Sequence, residues 1–338
     1  MVADGCCESG RARVALTVRT VGLIVAALLL AGNSPAAAQQ YPDRPIKLIV
    51  PLVAGSPIVS VGRVVTVPLS ARLGQQIIID ARPGGGTTIG LKAAAAAAPD
   101  GYTLLMYGQN ITYVHDLYPD LGIDPLKALV PVANLMEFSH LLVVGAQVPV
   151  TTLQELVAYA RANPGKLNFG AGLGTMPYIV GKYFIDVAGV DIVSIPYRGG
   201  EQVRVDILGG QVHMNTGPIA SLLPLIRDGK LRALAYTGAK RHPVLPEVPT
   251  MMESGYPQVG WHPDVWQAIF APAGTPAAVI EKLNTEINAV LRLPEVKAAY
   301  ERLGTGVMPM SVGETAAFLA SEITKWPPII KATGVTMQ

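Results

Sequence analysis

IKLIVPLVAGSP, residues 46–57, decides the fold. Four of its first five residues are apolar and branched, with Lys47 the one polar member, in a run too short for a helix and without regular polar alternation. That pattern fits a strand buried on both faces. Pro51 ends the run, Gly55-Ser56-Pro57 marks a turn, and helical spacing follows over 59–69. Strand, glycine-bearing loop and helix together make the unit of an α/β sheet. The strand pattern recurs at 76–80, 103–106, 141–144, 167–170, 192–195, 233–236 and 268–271. Helix starts lie between them. Thr152-x-x-Glu155 and Ser311-x-x-Glu314 are capping boxes, and Thr275-Pro276 places a cap and a first-turn proline. Pro327-Pro328 is expected to end or kink the last helix.

Upstream of this unit, Arg11, Arg13 and Arg19 precede an apolar run over 21–30, and Ala36-Ala37-Ala38 then meets Gln39. Basic, apolar and small-residue segments in that order predict a secretory signal peptide over 1–38, cleaved near Ala38. The apolar run is ten residues, against about 20 for a membrane span. Both cysteines, Cys6 and Cys7, fall in that leader. The exported chain is therefore expected to have no disulfide, thiolate nucleophile or cysteine-based metal site. The remaining length suggests two domains.

Charge excludes one class of partner. The leader carries three basic and two acidic residues of the chain's 26 and 24, leaving 23 against 22 with no basic run. Nucleic acid is not a partner on this reading. Catalysis has no visible apparatus either. The histidines, His115, His140, His213, His242 and His262, are scattered singly, without H-x-x-x-H or H-E-x-x-H spacing, and no G-x-S-x-G occurs. The sequence predicts no metal and no cofactor.

Glycine-rich loops between strands and helices are frequent. Val53-Ala54-Gly55-Ser56-Pro57 follows the first strand, and Gly172-Leu173-Gly174-Thr175-Met176 follows the strand at 167–170. Glycine admits close backbone approach, and a helix N-terminus offers free N–H groups and positive potential, so a carboxylate or phosphate is the natural guest. Gly84-Gly85-Gly86 is read as a structural turn. No loop matches G-x-G-x-x-G or G-x-x-x-x-G-K-[ST], which argues against nucleotides.

Several segments, collinear along the chain, resemble one family. They include Tyr41-Pro42-x-Arg44-Pro45-Ile46, Arg82-Pro83-Gly84, Ala98-Pro99-Asp100-Gly101-Tyr102 and Pro164-Gly165-Lys166-Leu167-Asn168. Ile195-Pro196-Tyr197-Arg198-Gly199, Leu208-Gly209-Gly210-Gln211-Val212 and Ala271-Pro272-Ala273-Gly274-Thr275 continue the series. They resemble the substrate-binding proteins of tripartite tricarboxylate transporters, also called the Bug family. The resemblance implies a type II periplasmic binding protein, a Venus flytrap of two α/β domains joined by two crossing segments. Domain one would be 41–143 plus 266–338 and domain two 144–265, with crossings near 141–145 and 264–271. It implies a periplasmic monomer that binds a small carboxylate and delivers it to membrane permease subunits. A carboxylate sensor signalling to a membrane receptor, or an exported enzyme, are the alternatives.

On that resemblance the ligand-binding residues are Val53, Ala54, Gly55, Ser56 and Pro57 on one side. Gly172, Gly174, Thr175, Met176, Arg198 and Gly199 face them from the other. The chain departs from the family at Ser56, where a second glycine is usual. Val59 and Gly217 stand where acidic residues are frequent, and Tyr178 where histidine is common. Fewer acids near the cleft favour an anionic ligand without an essential amino group. Arg198 is a candidate partner for a second carboxylate.

Overall fold

A computed structural model describes residues 41–197, 199–260 and 264–335. The leader with its cleavage site, and Arg198, lie outside the described residues.

From Arg44 onward the chain forms one compact unit built on two sheets. The first sheet begins with β1 (Ile46–Val50), α1 (Pro57–Leu73), β2 (Ile77–Ala81), α2 (Thr88–Ala95) and β3 (Thr103–Gly108). The short helices α3 (Val114–Leu117) and α4 (Pro125–Ala128) lead into β4 (Leu129–Phe138). The second sheet follows as β5 (His140–Gly145), α5 (Leu153–Ala162), β6 (Leu167–Gly172), α6 (Met176–Ala188) and β7 (Ile192–Tyr197). It closes with α7 (Gly200–Leu208), β8 (Met214–Pro218), α8 (Ile219–Arg227) and β9 (Leu231–Tyr236). The chain then returns to the first sheet with β10 (Val265–Pro272), α9 (Ala277–Leu291), α10 (Pro294–Arg302), β11 (Gly306–Val307) and α11 (Val312–Thr333).

The strand orders are β11-β4-β10-β3-β1-β2 and β7-β6-β8-β5-β9. In each sheet three strands run parallel, β2-β1-β3 and β7-β6-β8, and an antiparallel strand, β10 or β5, packs beside them. Two sheets of this order, each with parallel strands beside an antiparallel one, have the mixed α/β architecture that the resemblance implies. Parallel strands explain the mainly apolar runs: Ile46, Leu48, Ile49 and Val50 are all buried, and Lys47 alone in β1 is exposed. Separate cores form around Leu105, Tyr107, Trp266 and Phe270 in one half and around Leu141, Val143, Val203 and Ile207 in the other. Each such buried side chain contributes about 1.5–3 kcal/mol.

The segments 141–145 and 264–271, expected near the crossings, lie almost wholly inside strands β5 and β10, and the chain passes between the sheets at Ser139 and again between β9 and β10. Two helix expectations need correction. Pro327 and Pro328 do not end α11, which runs to Thr333 and stops at the left-handed Gly334. Each proline removes a helical N–H. Burial of Trp326, Ile329 and Ile330 around them holds the helix through the gap. The cap at Thr275 also differs: its hydroxyl donates to the Pro272 carbonyl, and Pro276 occupies the cap position.

A buried polar knot joins the two crossings. His140 and Asp264 meet at 2.8 Å through Nδ1 and Oδ2, with side chains 2% and 0% exposed. The Thr237 hydroxyl donates to the same carboxylate oxygen at 2.7 Å, and the His140 backbone N–H reaches it at 3.3 Å. Because the carboxylate can only accept, Nδ1 carries the proton. One crossing supplies His140, and the other supplies Thr237 and Asp264.

Candidate functional site

The C-terminal ends of parallel strands are where α/β sheets bind ligands, and here the strand ends of both sheets meet. A cavity of about 180 Å³ lies between them. On the first side it is bordered by Pro51 and Leu52 after β1, Thr87 before α2, and the segment after β3. On the second side it is bordered by Gly174, Thr175 and Met176 at the start of α6. The Tyr113 hydroxyl reaches across and donates to Met176 Sδ at 3.5 Å.

The wall contains no charged side chain among the described residues. Its polar groups are hydroxyls and amides, chiefly Thr87, Tyr107, Gln109, Asn110, Thr175 and Gln267. They are held in place by one another. Thr87 Oγ1 lies 2.6 Å from the Tyr107 hydroxyl and accepts from the Asn110 amide at 3.3 Å. The Gln109 carbonyl oxygen accepts from the Trp266 backbone N–H at 3.4 Å, tying the wall to β10. Gly108 is required there, because a Cβ would stand 2.5 Å from Gln267 Nε2 and 2.7 Å from the Trp266 carbonyl. Burial pushes the Tyr107 phenol up to about 12 and raises Tyr113 as well. Both phenols therefore stay neutral, able to donate a hydrogen bond and unable to repel an anion.

Thr87 is held at φ +83, the one non-glycine residue with positive φ among the described residues. It follows three glycines, Gly84, Gly85 and Gly86, all with positive φ. A β-branched residue there stores roughly 1–2 kcal/mol, the kind of strain that concentrates at binding sites. The glycine turn read as structural thus delivers a cavity residue. Thr87 was missed because nothing in GGGT distinguishes a delivering turn from an idle one.

The two predicted loops differ in detail. Ser56 has an ordinary extended backbone, φ −67 and ψ 150, and its hydroxyl accepts from the Val59 N–H, capping α1. It needs no glycine conformation, and its proton remains available to donate. Val53, Ala54 and Gly55 form an exposed turn beside the cavity rather than its wall. Of Pro57 the backbone alone is described. Opposite, Gly174 has φ +72, which favours glycine strongly. The Thr175 hydroxyl turns back to donate to the Gly172 carbonyl at 2.6 Å, so no side chain caps α6. Pro177 contributes no N–H to this first turn, which carries no acidic residue, so the remaining N–H groups keep their positive potential uncompensated.

Of the predicted residues, Gly174, Thr175 and Met176 line the cleft cavity, while Gly172, Thr175 and Gly199 line a second one in the β6–β8 half. Gln109, Asn110 and Gln267 carried no sequence signal, since neutral amides follow no motif spacing. Among the described residues no three His, Cys, Asp or Glu could hold a metal ion, and no helix is long and apolar enough to cross a membrane.

A family described as "Tripartite tricarboxylate transporter family receptor" matches residues 61–335. Protein BugT of Bordetella pertussis is 34% identical over 321 residues, covering 94% of this chain and 97% of BugT. The structure of periplasmic binding protein BugD is 30% identical with TM-score 0.72, covering 88% of this chain and 100% of BugD. Rpa4515 of R. palustris, solved with adipate, is also 30% identical, with TM-score 0.74 and the same coverage.

Proposed function

The chain belongs to the tripartite tricarboxylate transporter receptor family, and from that membership we propose that it captures a small carboxylate in the cleft and hands it to a membrane permease. A solute-binding role and the absence of catalysis follow from the family itself. The carboxylate is inferred from the site. One observation carries it: a cavity between the two halves whose polar wall groups, among the described residues, are neutral hydroxyls and amides, beside a helix N-terminus that no side chain caps. Such a wall holds an anion without an ion pair, by converging hydrogen bonds and helix potential. A neutral wall has no carboxylate to pair an ammonium group, so an amino group on the ligand gains nothing there. The adipate bound by Rpa4515 supports the same class.

Residues 41–138 with 265–335 act as one lobe and 140–236 as the other, with closure turning about the His140–Asp264 knot. The periplasm is the working compartment, reached through the leader at 1–38. Thermal shifts against mono-, di- and tricarboxylates, aromatic acids and amino acids test the reading. At ligand 100-fold above Kd, binding stabilises by about 2.7 kcal/mol, a rise of about 4 °C for a chain this size. A response confined to carboxylates supports the proposal; a response confined to cationic or neutral solutes refutes it. Gln109→Ala and Asn110→Ala should each weaken the best carboxylate about 10-fold, the worth of one hydrogen bond to a charged group.

A further inference from the structure

The two halves also meet beside the crossing at Ser139. On one side of it β11 pairs Gly306 with Glu137, and on the other β5 pairs His140 with Pro218. Two residues from these pairs, Gly304 and Ala220 come face to face. A Cβ on Gly304 would stand 2.5 Å from Ala220 Cβ, so the contact has no room for a further carbon. Both sides are rigidly held. Gly304 ends α10 at φ +74, where its N–H donates to the Glu301 carbonyl at 2.9 Å and the Thr305 N–H to the Tyr300 carbonyl at 3.0 Å. Those two bonds make a Schellman cap, anchored by the fully buried Tyr300. Ala220 stands in the first turn of α8, which is seated by the buried Ile219 and Leu222. The cap accounts for glycine at 304, and the contact shows what its missing Cβ makes room for.

β4 runs with β3, both antiparallel to β10, and β8 runs with β6. Gly304 and Ala220 therefore sit at the strand ends that border the cleft, and closing the lobes presses them together. We propose, on the two-lobe reading above, that this contact is the stop that sets how far the lobes close. Its lever arm is short. Two residues of extended chain span about 7 Å, so a side chain reaching about 2 Å further at that radius turns one lobe by roughly 15°. A carboxylate held from both walls needs donors within about 3.2 Å on each side, and such a turn strips it of one wall.

The test is small-angle scattering of the purified protein, with calorimetry of the carboxylate that gives the largest thermal shift. A static contact answers added bulk with lost stability; a stop answers it with rotation. Ala220→Leu adds bulk at an exposed helix position, and its Tm should stay within about 1 °C of wild type. Its radius of gyration should rise by about 0.5–1 Å over the roughly 19 Å of a compact chain this long. Its affinity should fall about 10-fold, the worth of one hydrogen bond to a charged group. Gly304→Ala should also weaken binding, because its Cβ meets that of Ala220. Adding Ala220→Gly removes the collision and leaves the new Cβ 3.6 Å from the nearest atoms of residue 220. The pair should recover wild-type affinity to within about 2-fold, although the left-handed alanine stays strained. Unchanged radius and affinity in Ala220→Leu, a Tm loss above about 3 °C in it, or a Gly304→Ala defect that Ala220→Gly does not correct would overturn the stop. Wild-type protein that binds no carboxylate would overturn the ligand reading instead, and the scattering of Ala220→Leu would still decide the stop.

Discussion

Replacing Asp264 by alanine tests the knot that ties the two crossings. Asp264 is fully buried, and its Oδ2 accepts from the Thr237 hydroxyl, His140 Nδ1 and the His140 backbone N–H. Without the carboxylate, the backbone N–H keeps the Thr237 oxygen at 2.7 Å and the Thr237 hydroxyl can turn to the His140 carbonyl at 3.2 Å. Nδ1–H loses its acceptor. Breaking a buried pair from one side costs about 3–5 kcal/mol, a fall in Tm of roughly 5–8 °C for a protein of this length. Asp264→Asn should cost less, about 1–3 kcal/mol. It keeps an acceptor but turns an NH₂ toward the site of Oδ1, which has no hydrogen-bond partner. Urea unfolding followed by tryptophan fluorescence measures both variants, and an unchanged slope with denaturant assigns the loss to stability. With His140→Ala included, the double variant should cost at least about 1.5 kcal/mol less than the two singles together. A loss below about 1 kcal/mol for Asp264→Ala, or strict additivity with His140→Ala, would refute the knot.

Alkaline pH probes the buried phenols. Tyr107 and Tyr236 are pushed up to about 12 by burial, above the ordinary value of 10.0. Their folded-state values exceed the unfolded one, so the associated stability is complete below pH 10 and is lost between about pH 10 and 12. Absorbance at 295 nm should show these phenols ionising only as the protein unfolds; ionisation of all 12 tyrosines near pH 10 in a folded sample would contradict this. Glu322 is buried, accepts both the Trp266 and Trp326 indole N–H groups at 2.7 Å, and pairs with Lys325. Glu322→Leu orphans two donors and should cost about 2–6 kcal/mol in chemical denaturation, so a loss under 1 kcal/mol would show the indoles find other partners. Gly181 packs its α-carbon onto the Phe169 ring, where a Cβ would collide. Gly181→Ala should therefore lower stability by about 1–3 kcal/mol despite its better helix propensity, and a rise in Tm would mean the ring yields freely.

The fold was largely legible because most strands write themselves as short, mainly apolar, β-branched runs. β4 and β8 were not. LVPVANLMEF carries Pro131 and Glu137, and MNTGP is mostly turn-forming residues, so their strand character comes from pairing with β10 and β5. Pro327 and Pro328 read as a helix end because local propensity omits the packing that carries α11 past them. At the site, the second glycine loop was legible because Gly174 must be glycine, and the helix after it is uncapped. The first side was not: the wall comes from Thr87, Gln109, Asn110 and Gln267, brought together by sheet order rather than by spacing. The buried knot was equally hidden, since His140 and Asp264 are 124 residues apart and each alone looks like an ordinary core or turn residue.

The central claim is that neutral donors, and not an ion pair, hold a carboxylate between the two halves. Titration calorimetry of the carboxylate giving the largest thermal shift, at about 50 mM and about 500 mM sodium chloride, tests it most directly. Salt screens exposed charge pairs strongly over that range, from a Debye length near 14 Å to one near 4 Å. A site of buried hydroxyls, amides and helix N–H groups predicts an affinity that changes by less than about 3-fold. A loss of about 10-fold or more, or no binding by any carboxylate at either salt, would contradict it.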